Sequence, residues 1–240
     1  MDKFYHYNDV VFDAFNLHTR QKEIIERKHE IIEKILEFYN YGCSSILFVG
    51  FNPAILTWNL GEVTVTEISD RAKNWLVSNN VAFKEFDPTA QKKYDIIVAF
   101  DEYLTFATSE QEQKIKIDNL CKYAGNAIIT TVKDYKNQDF KDREYSQPAI
   151  IRNNKGLTAF TEIHDWDVKD KNVWSTAVYQ LNGTQCECKG VYSRRSLFFK
   201  QLAKFSMDNG AKDFLVHKNL MYKSLIKKNY EHVISICFEN

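Results

Sequence analysis

Apolar residues recur at helical spacing over 24–39, where Ile24, Ile25, Ile31, Ile32, Ile35, Leu36 and Tyr39 share one face. Thr19 stands ahead of this run as an N-cap and Gly42 behind it as a stop, which predicts a helix to about Tyr39. The pattern then changes. Ile46-Leu47-Phe48-Val49 is a continuous apolar run of the kind buried on both faces of a parallel sheet. Gly50 follows it, and Asn52-Pro53 supplies an N-cap and a first-turn residue for a short helix to about Leu60, closed by Gly61. The alternation repeats: strand 63–67 ending on Glu67, helix 70–78, strand 81–86 ending at Asp87-Pro88, and apolar strand 94–100 ending at Asp101. Ser109-Glu110-Gln111-Glu112 is a capping-box signature for a helix to about Tyr123; Gly125 stops it, and residues 126–132 form a fifth strand. Strands alternating with helices in this way predict an α/β fold, a doubly wound and mostly parallel sheet with helices on both faces.

The rhythm breaks over 133–192, which is polar and aromatic without a βα repeat. Within it, segments 172–181 and 184–192 flank Asn182-Gly183, a tight-turn pair, and read as a β-hairpin. Ser193 is a candidate cap for a helix to about 209 with Leu197, Phe198, Leu202 and Phe205 inward and Gly210 as its stop. Strands 213–217 and 230–238 complete a sheet of about seven, the last one antiparallel. The expectation is therefore one domain over 1–240, with 133–192 inserted between the fifth strand and the following helix. At that point of the topology the insertion lies over the strand C-termini.

Composition narrows the class. No stretch of about 18 apolar residues suggests a membrane span, and the N-terminus lacks a basic-then-apolar signal. Five scattered cysteines fit reduced thiols and a cytoplasmic setting better than a disulfide framework. Cys186 and Cys188 are too closely spaced for a zinc knuckle, so no metal is expected. The chain carries 32 basic and 32 acidic residues, which argues against a strongly basic nucleic-acid binder. The charge is uneven, however: residues 189–228 hold ten Lys or Arg and two acids, a local excess of eight. That stretch is either a solvated surface or a phosphate-binding face. On the second reading Arg194, Arg195, Lys200, Lys204, Lys223, Lys227 and Lys228 would touch phosphate, with Arg194-Arg195 at a helix start.

Ligands of such a sheet bind outside the C-terminal ends of its strands. Here those ends carry Gly50, which permits close backbone approach; Glu67, an acceptor for ribose hydroxyls; Asp87, an acceptor for an adenine amine; and Phe100-Asp101. Trp166, Trp174, Tyr179 and Tyr192 either stack a planar substrate or form a small core of their own.

In order and spacing these residues resemble the class I S-adenosylmethionine-dependent methyltransferases, over roughly 20–132 and 193–240. That family's first strand ends in acid-x-Gly-x-Gly-x-Gly. Gly50 matches the first glycine, while Phe48, Asn52 and Ala54 stand at the acid and at later glycines. Glu67 matches the ribose acid, Asp87 the adenine-contacting acid, and 95–101 the fourth-strand motif. The resemblance implies S-adenosylmethionine as cofactor, held by Gly50, Phe51, Asn52, Glu67, Ile68, Asp87, Phe100 and Asp101. Methyl transfer chiefly needs alignment of the acceptor, with a base only where a proton must leave. Asp101, Tyr103 and His164 are the candidates for that role. The acceptor is a small molecule or RNA. Two other readings stay open. One is a non-catalytic protein that keeps the fold; the other is a nicotinamide-dependent enzyme, although the G-x-G-x-x-G spacing is missing.

Overall fold

The computed structural model describes residues 3–133, 143–153, 156–226 and 230–238. Helix α1 spans Lys3–Leu17 and α2 spans Gln21–Tyr39. Strand β1 (Ser45–Val49) leads through a 3-10 turn at Pro53–Thr57 to β2 (Glu62–Thr66), α3 (Asp70–Ser78) and the short β3 (Lys84–Glu85). Next come β4 (Tyr94–Ala99), a 3-10 turn at Tyr103–Thr105, α4 (Glu110–Tyr123) and β5 (Ala124–Val132). A run of strands follows: β6 (Arg143–Tyr145), β7 (Ala149–Asn153), β8 (Gly156–Trp166), β9 (Val173–Asn182) and β10 (Gln185–Arg195). The chain closes with α5 (Phe199–Asp208), β11 (Asp213–Lys223) and β12 (Tyr230–Cys237).

The main sheet has the order β11-β12-β5-β4-β1-β2-β3. Strands β1 to β5 pair in parallel, and β12 runs antiparallel to both β5 and β11. The apolar runs are central because they are covered on both faces: every residue of β1 is buried, and Ile96, Ile97, Val98 and Ala99 of β4 are 0–1% exposed. Ser69 and Ser109 cap α3 and α4 by accepting from Ala72 N and Glu112 N. Only Lys84 and Glu85 of the expected 81–86 strand join the ladder, because Val81 N–H closes the end of α3 on Leu76 O.

Several expected boundaries move. Arg20, not Thr19, precedes α2, and Asn40 in the left-handed region ends it before Gly42. The hairpin between β9 and β10 turns at Gly183 and Thr184, one residue later than Asn182-Gly183. Most consequentially, β10 runs through Arg195, so α5 starts at Phe199 and Ser193 caps nothing.

Residues 1–18 carry no expected element, yet α1 is among the best-buried helices. Phe4, Tyr7, Val10, Val11, Ala14 and Phe15 are at most 2% exposed. Their i, i+3, i+4, i+7 spacing is the ordinary signature of a buried helical stripe.

Strands β6 to β10 build a second, antiparallel sheet of five strands between β5 and α5. Alternate residues of β8 are buried: Thr158, Phe160, Glu162, His164 and Trp166. Period-two burial marks a sheet with one covered face. Trp166 and Trp174 pack at 4.6 Å between centroids, while Tyr192 packs on Tyr7 of α1 at 5.4 Å, so these three aromatics are part of the buried core that the second sheet shares with α1 and the main sheet.

Gly61 stands where two backbones meet. A Cβ there would lie 2.5 Å from the carbonyl carbon of Ser44 and 2.6 Å from its oxygen. Neither atom can yield without shifting the β1–β2 pairing that begins at Ser45↔Glu62. Gly61→Ala is expected to cost about 1–3 kcal/mol, the usual penalty of overpacking. A urea midpoint equal to that of the parent chain would refute this close approach.

Candidate functional site

Three adjacent strands of the main sheet, β4, β1 and β2, are followed by left-handed backbone. Gly50 follows β1 at φ 86°, Glu67 follows β2 at φ 57°, and Asp101 and Glu102 follow β4 at φ 56° and 54°. For non-glycine residues this conformation costs of order 1–3 kcal/mol, and such strain collects at binding sites. It turns each strand end sharply and aims three acids into the region above the sheet.

At the end of β2, Glu67 and Ile68 line a cleft of about 430 Å3 together with Tyr5, Lys73, Glu85 and Phe86. Tyr5 comes from α1 and Phe86 from just beyond β3. The cleft therefore offers a carboxylate at one end and aromatic rings beside it. Asp87 is not among its walls. That carboxylate is exposed and accepts from Thr89 Oγ1 at 2.6 Å and Thr89 N at 2.8 Å, bonds that hold its pKa below the usual range.

Over β1 the space is taken by α1. A Cβ on Gly50 would fall 2.6 Å from Asn8 Nδ2 and 2.8 Å from Phe4. Asn8 Oδ1 also accepts from the Phe51 N–H. Phe51 and Asn52 are 2% and 5% exposed. Asn52 Oδ1 accepts from Ala54 N at 3.0 Å and so caps the 3-10 turn, while its Nδ2 is buried with no hydrogen-bond partner. The residues around Gly50 thus suit a ligand backbone or carboxylate, but α1 closes that end in this conformation.

The end of β4 belongs to a buried polar network. Phe100 packs on the Tyr222 ring at 4.8 Å, and Tyr222 Oη donates to Asp101 Oδ2 at 2.7 Å. Arg194, fully buried, donates from Nη1 to Glu102 Oε2 at 3.1 Å and from Nη2 to Glu162 Oε1 at 3.5 Å. Tyr7 Oη donates to the same Glu162 oxygen at 3.0 Å. His164 Nδ1 lies 3.0 Å from Thr176 Oγ1, and its Nε2 is 3.5 Å from Glu162 Oε2. Tyr103 sits in an aromatic cluster, 4.8 Å from Phe4, with Lys116 over its ring at 4.5 Å. Asp101, Tyr103 and His164 are thus 3%, 8% and 7% exposed and lie in one connected region, with Arg194 tying the second sheet to the end of β4.

This overturns the phosphate reading of Arg194, which is an interior cation and not a helix-start one. Arg195 pairs with Asp170 at 2.6 Å. Lys227 and Lys228 lie outside the described residues. The sequence pattern also leaves out Tyr5, Asn8, Glu102, Glu162 and Tyr222. The helical stripe of α1 is the one signal from which the first two can be read. The other three are joined only by tertiary pairing. Among the described residues there is no His/Cys/Asp/Glu group that would hold a metal, and no helix long and apolar enough to cross a membrane.

The sequence matches no protein-family profile and no curated protein. The structure does have solved counterparts. DesVI of Streptomyces venezuelae superposes with a TM-score of 0.67 at 11% identity, over 95% of this chain and 97% of that one. CalS10, an amino pentose methyltransferase of Micromonospora echinaspora solved with S-adenosylmethionine bound, gives 0.65 at 7% identity over 89% and 92%. The sugar N-methyltransferase KedS8 of Streptoalloteichus sp. gives 0.62 at 8% identity over 90% and 88%. Agreement over nearly the whole of each chain, together with the 3-2-1-4-5 parallel order and the reversed β12, identifies the fold as that of the class I S-adenosylmethionine-dependent methyltransferases.

Proposed function

We propose that the protein is a methyltransferase that binds S-adenosylmethionine across the ends of β1, β2 and β4 and methylates a small molecule. The observation that carries this reading is the left-handed turn at the end of each of these strands, with Glu67 on the wall of an open cleft. In this reading Glu67 accepts from both ribose hydroxyls, and Ile68, Phe86 and Tyr5 flank the adenine. Asp87 is exposed and engaged with Thr89, so its part is limited to closing the turn beside that ring. Gly50, Phe51 and Asn52 receive the methionine end once Asn8 and Phe4 withdraw, and the Asn52 amide supplies an unused donor there. When bound, the cofactor supplies a sulfonium methyl group, which the acceptor's lone pair takes while the sulfur keeps the bonding electrons.

The chain's own groups then align the acceptor. Phe100 and Asp101 stand at the end of β4, and Tyr222 fixes the Asp101 carboxylate by donating to it. Tyr103 and His164 support that wall through packing and through the Glu162 network. The second sheet, tied down by Arg194, covers the acceptor. A small molecule fits this buried geometry better than RNA, and two of the structural counterparts are sugar methyltransferases by description. The RNA alternative rests on Lys200, Lys204 and Lys223, which are exposed. It predicts retention of RNA that falls steeply with salt.

The test is calorimetric titration with S-adenosylhomocysteine, followed by hydrogen exchange on the complex. Binding together with altered exchange of the α1 amides is expected, since the helix must leave Gly50. No binding, or binding that leaves α1 unchanged, would sink the proposed arrangement.

A further inference from the structure

A second cavity, of about 380 Å3, opens between α2, β7 and the end of β11. Its apolar walls are Ile24, Ile31, Ile150 and Leu225. Its polar groups include four basic side chains, His18, Arg27, Lys28 and Lys223, and no acid among the described residues. Apolar walls with a few convergent polar groups are the usual make-up of a small-molecule site.

Lys28 sets the chemistry. It is 4% exposed, an uncommon position for an ammonium group. Its Nζ donates to Lys223 O at 2.7 Å and lies 3.0 Å from the centroid of the Tyr222 ring. An ammonium has three donors, so a ligand oxygen can take another. Burial pulls its pKa down to about 7, helped by Lys223, while Asp101 and Glu231 pull the other way. Tyr222 in turn donates to Asp101, so Lys28 is linked through the Tyr222 ring to the end of β4.

We propose that this cavity binds a small organic anion, with its apolar body against Ile24, Ile31, Ile150 and Leu225 and its carboxylate on Lys28 and Arg27. This anion site does not rest on the function proposed above, because none of its lining residues belongs to the cleft beside Glu67 or to the end of β4. An apolar body gains roughly 25 cal/mol for each Å2 removed from water. The charge-assisted bonds to the carboxylate select the anion over a neutral analogue.

The experiment titrates the full chain by calorimetry with octanoate, 4-phenylbutyrate and indole-3-acetate, each beside its neutral amide. At least one carboxylate is expected to bind tenfold or more tightly than its amide. Lys28→Met and, separately, Arg27→Glu should erase that preference. Arg27 is exposed, so its replacement leaves the fold intact. Near pH 7 the bound carboxylate should also draw a proton onto Lys28, visible as a binding enthalpy that differs between phosphate and Tris buffers. Equal binding of acids and amides, or a preference that survives both substitutions, overturns the proposal. The companion titration with S-adenosylhomocysteine separates the two claims. Carboxylate binding without cofactor binding leaves the anion site standing and removes the methyl-transfer reading; the reverse result removes only the anion site.

Discussion

Arg194→Met is expected to lower the unfolding free energy by about 3–5 kcal/mol, the cost of removing one partner from a buried ion pair. Arg194 is fully buried between Glu102 and Glu162, whose relative exposures are 1% and 0%. Its guanidinium also lies 4.6 Å from the Tyr7 ring centroid and 4.3 Å from that of Phe106. Without the cation two carboxylates remain inside, and each must lose its charge or draw in water. A methionine of similar length restores none of the hydrogen bonds. For a chain of this size the loss corresponds to a fall in Tm on the order of 10 °C. Lysine is expected to be a poor substitute, because a point charge cannot bridge two carboxylates while lying flat between two rings. Adding Glu102→Gln and Glu162→Gln to Arg194→Met should recover part of the stability. Urea unfolding of the three variants measures this, and a parental midpoint for Arg194→Met would contradict the network.

Glu67→Gly separates binding from folding. If the carboxylate holds both ribose hydroxyls, losing it removes charge-assisted hydrogen bonds worth about 1.5–3 kcal/mol. Affinity for S-adenosylhomocysteine should then drop roughly ten- to a hundredfold. The same change relieves a left-handed residue at φ 57°, where glycine carries no Cβ penalty. Stability should therefore hold or rise while affinity falls. A variant that binds normally would remove Glu67 from the site, and one that unfolds would show that the acid is structural.

What could be read from the chain alone follows from how local each signal is. The buried runs of β1 and β4, the helix over 70–78 and the cap at Ser109 are encoded within a few residues, and the structure realises them nearly to the residue. The turn at the end of α2 moved because Asn40 adopts the left-handed conformation ahead of Gly42. Arg194-Arg195 misled for a different reason. A basic pair at an expected helix start opposes the helix dipole and so points to an anion there, but β10 runs on through Arg195 and the carboxylates of Glu102 and Glu162, not a phosphate, receive the Arg194 charge. The positions of Glu67 and Gly50 at strand ends are legible because each follows a strand-like run in the chain, and the structure places them just after β2 and β1; their part in binding is the proposal made above. The closing of Gly50 by Asn8 is not legible, because it depends on where α1, separated from β1 by the whole of α2, docks.

The thiols offer a practical handle on that docking. Cys121 lies on α4, Cys237 on β12 and Cys43 in the connection between α2 and β1, and burial raises the pKa of all three, to about 12 for Cys43 and Cys121. Alkylating reagents attack thiolates, so these three react slowly. Cys186 and Cys188 stand exposed on β10, beside the hairpin turn. A maleimide fluorophore or spin label should therefore settle on the second sheet without any cysteine having to be engineered away. With one further cysteine placed on the outer face of α1, the wild-type pattern becomes a ready-made ruler across the covered site, reading in real time whether the helix lifts when ligand arrives.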